Sequence, residues 1–333
     1  MPASRPPRTA LPVVKGRAVA RPEVTVAQRV GVIAGLAVVA GLFVVPHPTA
    51  TLFWWGIVPL LPAIFLLHPL VWRNVCPLAT LSMGGERTPR GSRAVSAWAG
   101  AAGVLPFVLL VAWRGTGLDT RPAETGGLLL AMGLVGAVTG RRGHRRGGFC
   151  NRLCPLLPIE RLYGQSPLLA VPASRCPACT LCTPRGCLDL SASAAVPQLL
   201  GPARRGRGWL RTPFGAFSAA LPGFIAAWFL GSGAGSGPPS MPHFTLGLSL
   251  GAAISWMVVA VVVRASGARW STAMPTVAAG AVGLYYLLAL PRAGSAWGWP
   301  EPLTVALQGA ALTLVAAWWV RALRTRPGST PVP

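Results

Sequence analysis

The chain is short of charge, and above all of negative charge. Only 7 of its 333 residues are acidic, and charged residues make up 11% of the total, less than half of the roughly 25% usual in a soluble domain. So few charges cannot cover the surface of a water-soluble globule. Intrinsic disorder is excluded from the other side. Hydrophobic residues make up 52% and the mean hydropathy is +0.54, too apolar for a chain that stays unfolded in water. Lysine is nearly absent too, Lys15 being the only one. Arginine supplies almost all the remaining cations, and the formal net charge is +23. Such a balance suits a nucleic-acid binder, with cations gathered on one folded face, or a multi-spanning membrane protein, with cations in alternate loops.

The positions of the arginines decide between the two. Eight runs hold no Asp, Glu, Lys or Arg: 30–46, 51–70, 94–113, 125–140, 212–231, 244–263, 270–291 and 302–320. As helices they span about 24–33 Å at about 1.5 Å per residue, close to the thickness of a bilayer's hydrocarbon core. A charge at the centre of such a helix costs about 2.5–3.5 kcal/mol. With the N-terminus in the cytoplasm, the inside segments carry 27 basic residues and the outside segments only 3, Arg114, Arg121 and Arg292. This asymmetry follows the positive-inside rule through every loop. Nucleic acid is therefore rejected as a partner in favour of the lipid bilayer.

The expected architecture is an all-α integral membrane protein of about eight transmembrane helices. A disordered basic tail (1–29) leads into a four-helix membrane half (30–140). A cytoplasmic segment (141–211), a second four-helix half (212–320) and a cytoplasmic tail (321–333) follow. The basic stretch before the first run has features of a secretion signal, but its length and the prompt second run favour an uncleaved first helix. Trp54, Trp55, Trp297, Trp299, Trp318 and Trp319 fall near run ends, where interfacial anchors belong.

Cysteine is missing from every outside segment. All seven, Cys76, Cys150, Cys154, Cys176, Cys179, Cys182 and Cys187, fall on the cytoplasmic side. Thiols stay reduced there, and an odd number leaves one unpaired, so metal ligation is a better reading than a disulfide scaffold. The run Cys176-Pro-Ala-Cys179-Thr-Leu-Cys182-Thr-Pro-Arg-Gly-Cys187 places three thiols at successive three-residue spacings. That pattern wraps one iron–sulfur cube in bacterial ferredoxins. The alternative is structural zinc, whose two Cys-x-x-Cys knuckles usually stand a dozen or more residues apart. In the ferredoxin pattern the fourth ligand precedes a proline, whereas Cys187 comes one residue later and precedes Leu188. Cys187 or a remote cysteine closes the site.

A second pattern occurs twice. Cys150-Asn-Arg-Leu-Cys154-Pro155-Leu156 aligns with Trp72-Arg-Asn-Val-Cys76-Pro77-Leu78, each copy just past the inner end of an even-numbered span. Proline after the cysteine stops the helix and fixes the turn that presents the thiol. Buried cysteines acting as small hydrophobes are the plainer alternative. If the repeat reflects two similar hairpins packed side by side, Cys76, Cys150 and Cys154 converge as a thiol site for a second metal centre. One ligand position is left there for Cys187, a water or a partner.

The Cys-Pro motifs at helix ends and the cysteine run together resemble the NapH/NosR/CcoG group of bacterial membrane ferredoxins, over about residues 30–190. The resemblance implies electron transfer at the cytoplasmic face of the bacterial inner membrane. It implies a 4Fe-4S cluster on Cys176, Cys179, Cys182 and Cys187, a quinone pool or soluble reductant at one end, and a redox partner protein at the other. Three features depart from the group's pattern. Trp72 replaces the leading cysteine of the first motif, one cluster run is present where relatives usually carry two, and four more helices follow residue 212. Another class stays open: a maturation factor that reduces or hands over a metal such as copper at Cys76, Cys150 and Cys154, or a zinc-stabilised anchor subunit. The histidines add little. His47 and His243 fall outside, and His68 and His144 inside, with no pair at matching depth for a bis-histidine haem. His68 is either interfacial or turned toward a quinone.

Reporter fusions test the charge argument. A fusion at residue 170 is expected to report the cytoplasm, and an outside signal there overturns both the topology and the reduced-thiol argument.

Overall fold

The computed structural model describes residues 22–82, 103–142, 149–150, 153–169, 196, 199–200, 203, 206–232 and 239–325. Proline punctuates the fold. Six helices start on one: α1 (Pro22–Val44), α2 (Pro46–Leu67), α3 (Pro69–Val75), α4 (Pro77–Leu81), α6 (Pro122–Arg142) and α8 (Pro213–Gly231). A proline at the first helical position gives up an N–H that the first turn cannot bond in any case. It also pushes the residue before it out of the helical region. His68 (φ −170°, ψ 127°), Cys76 (φ −67°, ψ 119°) and Thr212 (φ −73°, ψ 147°) are all extended for this reason. The other elements are α5 (Val104–Gly115), α7 (Leu157–Tyr163), α9 (Met241–Ser266), α10 (Trp270–Trp297) and α11 (Glu301–Arg324). No strand occurs among the described residues.

Seven of these helices, α1, α2, α6 and α8 to α11, are long and apolar enough to cross a membrane, with mean hydropathies from 1.3 to 2.3. The chain is an all-α, multi-pass membrane protein. The remaining expected span, 94–113, lies partly outside the described residues, and its described part is the shorter helix α5. The first two spans are closer in sequence than the charge pattern suggested. Only Val45 separates α1 from α2, because Pro46 starts the second helix at once.

Burial sorts the helices into a centre and a rim. In their 18-residue apolar stretches α8 and α10 are 50% and 56% buried, against 11% for each of α1, α9 and α11. The rim helices turn Leu36, Ile254, Val261 and Val305 outward, an apolar surface of the kind that meets a membrane. One core joins the two membrane halves. It contains Phe65 and Leu66 of α2, Leu162 of α7, Phe224 of α8, Met274 of α10 and Trp318 of α11. Within it the Tyr286 hydroxyl donates to the Pro59 carbonyl at 3.0 Å. All seven residues of α7 are buried, so this part of the 141–211 segment is ordered by packing against the membrane helices.

Two tryptophans expected as interfacial anchors are interior instead. Trp318 is fully buried and donates its indole N–H to the Tyr163 carbonyl at 2.8 Å. Trp54 is buried with Arg114, a residue the charge pattern assigned to an outside loop but which sits in the last turn of α5. The reason is local. Residues 52–57 of α2 form a π-helical stretch, whose wider i→i+5 turns are often found at functional sites. It lets the sequence neighbours Trp54 and Trp55 both reach the same guanidinium, each ring 4.8 Å from it.

α8 crosses α9 at backbone contact. A Cβ on Gly223 would lie 2.0 Å from the Gly251 carbonyl oxygen, and Ser255 Oγ donates across the same crossing to the Ala219 carbonyl at 2.8 Å. Small residues that let backbones touch are a main source of helix association in membranes. Gly223→Val and Gly251→Val should each cost about 1–3 kcal/mol or more through overpacking. Thermal unfolding in detergent checks this, and a wild-type midpoint for both variants contradicts so close a crossing.

Candidate functional site

The two Cys-Pro motifs meet at the end of α2. Its helix stops at Leu67 because Pro69 forces His68 to extend, which leaves the last carbonyls without helical donors. The chain beyond α7 supplies them: Leu168 N–H donates to Leu66 O and Leu169 N–H to Leu67 O, both at 2.9 Å. The segment that follows the second motif is thereby bonded to the helix that leads into the first. The motifs differ in their turns. Cys76 N–H bonds Trp72 O at 2.8 Å, a helical spacing, whereas Cys154 N–H reaches back to Phe149 O at 3.0 Å, one residue further.

Cys76, Ala79, Phe149 and Cys150 form one buried cluster, with Cys154, Trp72, Leu78 and Met132 packed against it. The expected convergence of Cys76, Cys150 and Cys154 is present, and all three are free thiols. Trp72, which takes the place of a leading cysteine in the first motif, covers the cluster. Gly31 of α1 makes the approach close enough: a Cβ there would lie 1.9 Å from the Val75 carbonyl oxygen. Cys150 Sγ stands 3.6 Å from Ser82 Oγ.

Burial pushes all three thiols up. Cys76 rises to about 12. Cys154 rises well above the ordinary range through burial and then through its two cysteine neighbours, and burial likewise raises Cys150. They are therefore protonated at neutral pH, and a metal ion would have to displace those protons. Among the described residues no three His, Cys, Asp or Glu side chains form a group that could hold a metal ion. The thiols share a core without forming a ligand set as they stand. Cys176, Cys179, Cys182 and Cys187 lie outside the described residues.

Beside the thiols stands a charged group that belongs to no cysteine motif. Arg73 of α3 donates Nε–H to Glu160 Oε1 of α7, and both side chains are less than one-tenth exposed. This ion pair ties the first motif to the second. Arg161 is buried next to it, and burial, followed by repulsion from Arg73, lowers its guanidinium to about 10. Arg73 Nη1 and Arg161 Nη1 have no hydrogen-bond partner among the described residues. Two arginines against one glutamate leave the site cationic. His68 is lowered by burial and by Arg73. A sequence signal did exist, since Glu160 is the only acid between Glu124 and Asp189, in the most arginine-rich part of the chain.

Breaking a buried pair by removing one partner costs about 3–5 kcal/mol, because a buried charge is left uncompensated. Arg73→Ala and Glu160→Ala should each lose stability on that scale, while Arg73→Met combined with Glu160→Met should lose less than either single variant. A double-mutant cycle on chemical unfolding in detergent measures the coupling, and additive losses argue against a shared ion pair.

Compared with protein-family models, curated proteins and solved structures, the chain matches none, and its function is read from this site and its sequence.

Proposed function

We propose that the protein is a membrane-bound iron–sulfur electron carrier working at the cytoplasmic face of a bacterial inner membrane. In this reading Cys176, Cys179 and Cys182 hold one 4Fe-4S cluster, with Cys187 or a remote cysteine as the fourth ligand. A bound cluster of this kind supplies one-electron transfer. Electrons pass between a quinone pool or cytoplasmic reductant and a partner metalloenzyme. Both termini and the 141–211 segment are cytoplasmic, as the distribution of arginine requires.

One observation carries the reading beyond the cysteine spacing. The two Cys-Pro motifs, more than 70 residues apart in the chain, pack into a single cluster beside buried, partly unpaired arginines. Cations beside a metal centre favour the added negative charge of its reduced form, which eases electron uptake. A second reading, a maturation factor that hands over a metal such as copper, is favoured by the grouping of three reduced thiols.

Anaerobic purification with iron, sulfide, zinc and copper analysis separates the readings. Iron with matching sulfide is expected. Cys176→Ser, Cys179→Ser and Cys182→Ser should each weaken its retention, since losing one thiolate leaves an incompletely coordinated iron exposed to solvent. Cys187→Ser should do the same only if it is the fourth ligand. Stoichiometric zinc without sulfide refutes electron transfer, and copper lost on replacing Cys76, Cys150 and Cys154 establishes the second reading.

A further inference from the structure

The electron-transfer reading leaves unused a groove on the flank of α8. It has a volume of about 500 Å³, lies between α5, α8 and α9, and is open rather than enclosed. Ala216, Ala220, Ala252 and Ala253 leave the space that larger side chains would fill. Phe107, Phe217 and Phe224 make one wall, the Phe107 ring standing 5.7 Å from that of Phe217 and 6.0 Å from that of Phe224. The only side-chain donor in the lining is the Trp256 indole N–H, and it is already given to the Leu210 carbonyl at 3.1 Å. The groove therefore accepts hydrocarbon and offers a polar group no side-chain partner.

Its depth matches a lipid. Along α8 the lining runs from Pro213, the first helical residue, to Phe224, a rise of about 16 Å at about 1.5 Å per residue. That is close to half of a hydrocarbon core roughly 30 Å thick, the depth of one leaflet. Both α5 and α8 enter the lining with their first residues, Val104 and Pro213, so the mouth lies at one membrane face. A basic turn stands at that mouth. Arg207–Arg211 form a 3₁₀ helix directly ahead of α8, and the Trp256 bond to Leu210 ties it to the groove. Arg207 and Arg211 are exposed. The ion pairs among the described residues, Arg73–Glu160 and Arg121–Glu124, include neither. The sequence has no acidic residue between Asp189 and Glu301 to balance them.

Exposed cations at the mouth of a leaflet-deep apolar groove complement an anionic phospholipid. We propose that one such lipid is held here, with its phosphate on Arg207 and Arg211 and an acyl chain along Phe217 and Trp256. Anionic lipid is attracted to arginines at a membrane surface, whereas a zwitterionic headgroup brings a further cation to a place that already holds two. A second copy of the chain seated on the groove is disfavoured for the same reason, since each copy carries a formal charge of +23. The site does not depend on the iron–sulfur reading and stands or falls without it.

Native mass spectrometry of the delipidated full-length protein tests the proposal. The protein is titrated with dioleoyl phosphatidylglycerol, with dioleoyl phosphatidylcholine as the zwitterionic control and glycerol phosphate as a headgroup without chains. The first phosphatidylglycerol is expected to bind at least about tenfold more tightly than phosphatidylcholine, and glycerol phosphate should not compete with it. Arg207→Gln combined with Arg211→Gln should remove most of that preference, since an arginine near an anionic surface is worth about fivefold in affinity. Ala253→Phe fills the groove from an exposed position of α9 and should weaken both lipids while keeping the preference. Ala216→Leu fills it from α8 and should act alike, so either variant that elutes as the wild type does decides the point. Equal binding of the two lipids overturns the proposal. So does a preference that survives loss of both arginines, unchanged affinity in the groove-filling variants, full competition by glycerol phosphate, or a dimer that carries no lipid.

Discussion

A backbone N–H or C=O inside hydrocarbon has no water to bond, and each one left unpaired costs several kcal/mol. This constraint governs where the chain can break. Four of its interruptions among the described residues fall where proline removes an N–H and forces the preceding residue out of the helix, at Val45-Pro46, His68-Pro69, Cys76-Pro77 and Thr212-Pro213. The break at His68 strands the carbonyls at the end of α2, and the second motif's own chain bonds them through Leu168 and Leu169. The same stretch of chain thus joins the end of α2 to the segment that follows the second motif. A continuous helix through residue 68 would have no carbonyls to offer there.

Buried charge is handled in two ways at the two ends of α2. Near the thiols a carboxylate is present, and Arg73 and Glu160 neutralise one another across α3 and α7. Around Arg114 three indole rings stack on the guanidinium instead, each such contact being worth about 2 kcal/mol or more once desolvated. Aromatic faces offset the cost of burial without cancelling the charge. The first arrangement fastens two elements together, while the second leaves a cation buried among rings.

Close contact between helices depends on what the chain omits. Gly31 lets α1 touch the backbone at Val75, immediately before Cys76, and Gly223 and Gly251 let α8 and α9 touch each other. Lipid tails are as apolar as leucine, so there is little hydrophobic gain in joining two greasy helices, and packing contact must supply the attraction. Glycines on paper looked like weak helix positions. In the folded chain they are the places where helices come nearest.

The number and class of the spans were legible in the sequence because insertion energetics act on each segment alone: a run without charge either is long enough to cross or is not. Seven of the eight runs correspond to long apolar helices, and the eighth is described in part as α5. The grouping of Cys76, Cys150 and Cys154 was also legible, since the repeated Cys-Pro motif encodes the same break twice. What only the tertiary structure decided is which polar residues meet. Glu160 reads as a loop acid and Arg114 as a loop cation until packing brings Arg73 to one and three tryptophans to the other. Trp54 and Trp318 likewise read as interfacial anchors, because a run-end tryptophan looks the same whether it faces lipid headgroups or a neighbouring helix. Periodicity and hydropathy are properties of one segment, whereas an ion pair or a stacked cation belongs to two, and their pairing exists only once the helices have docked.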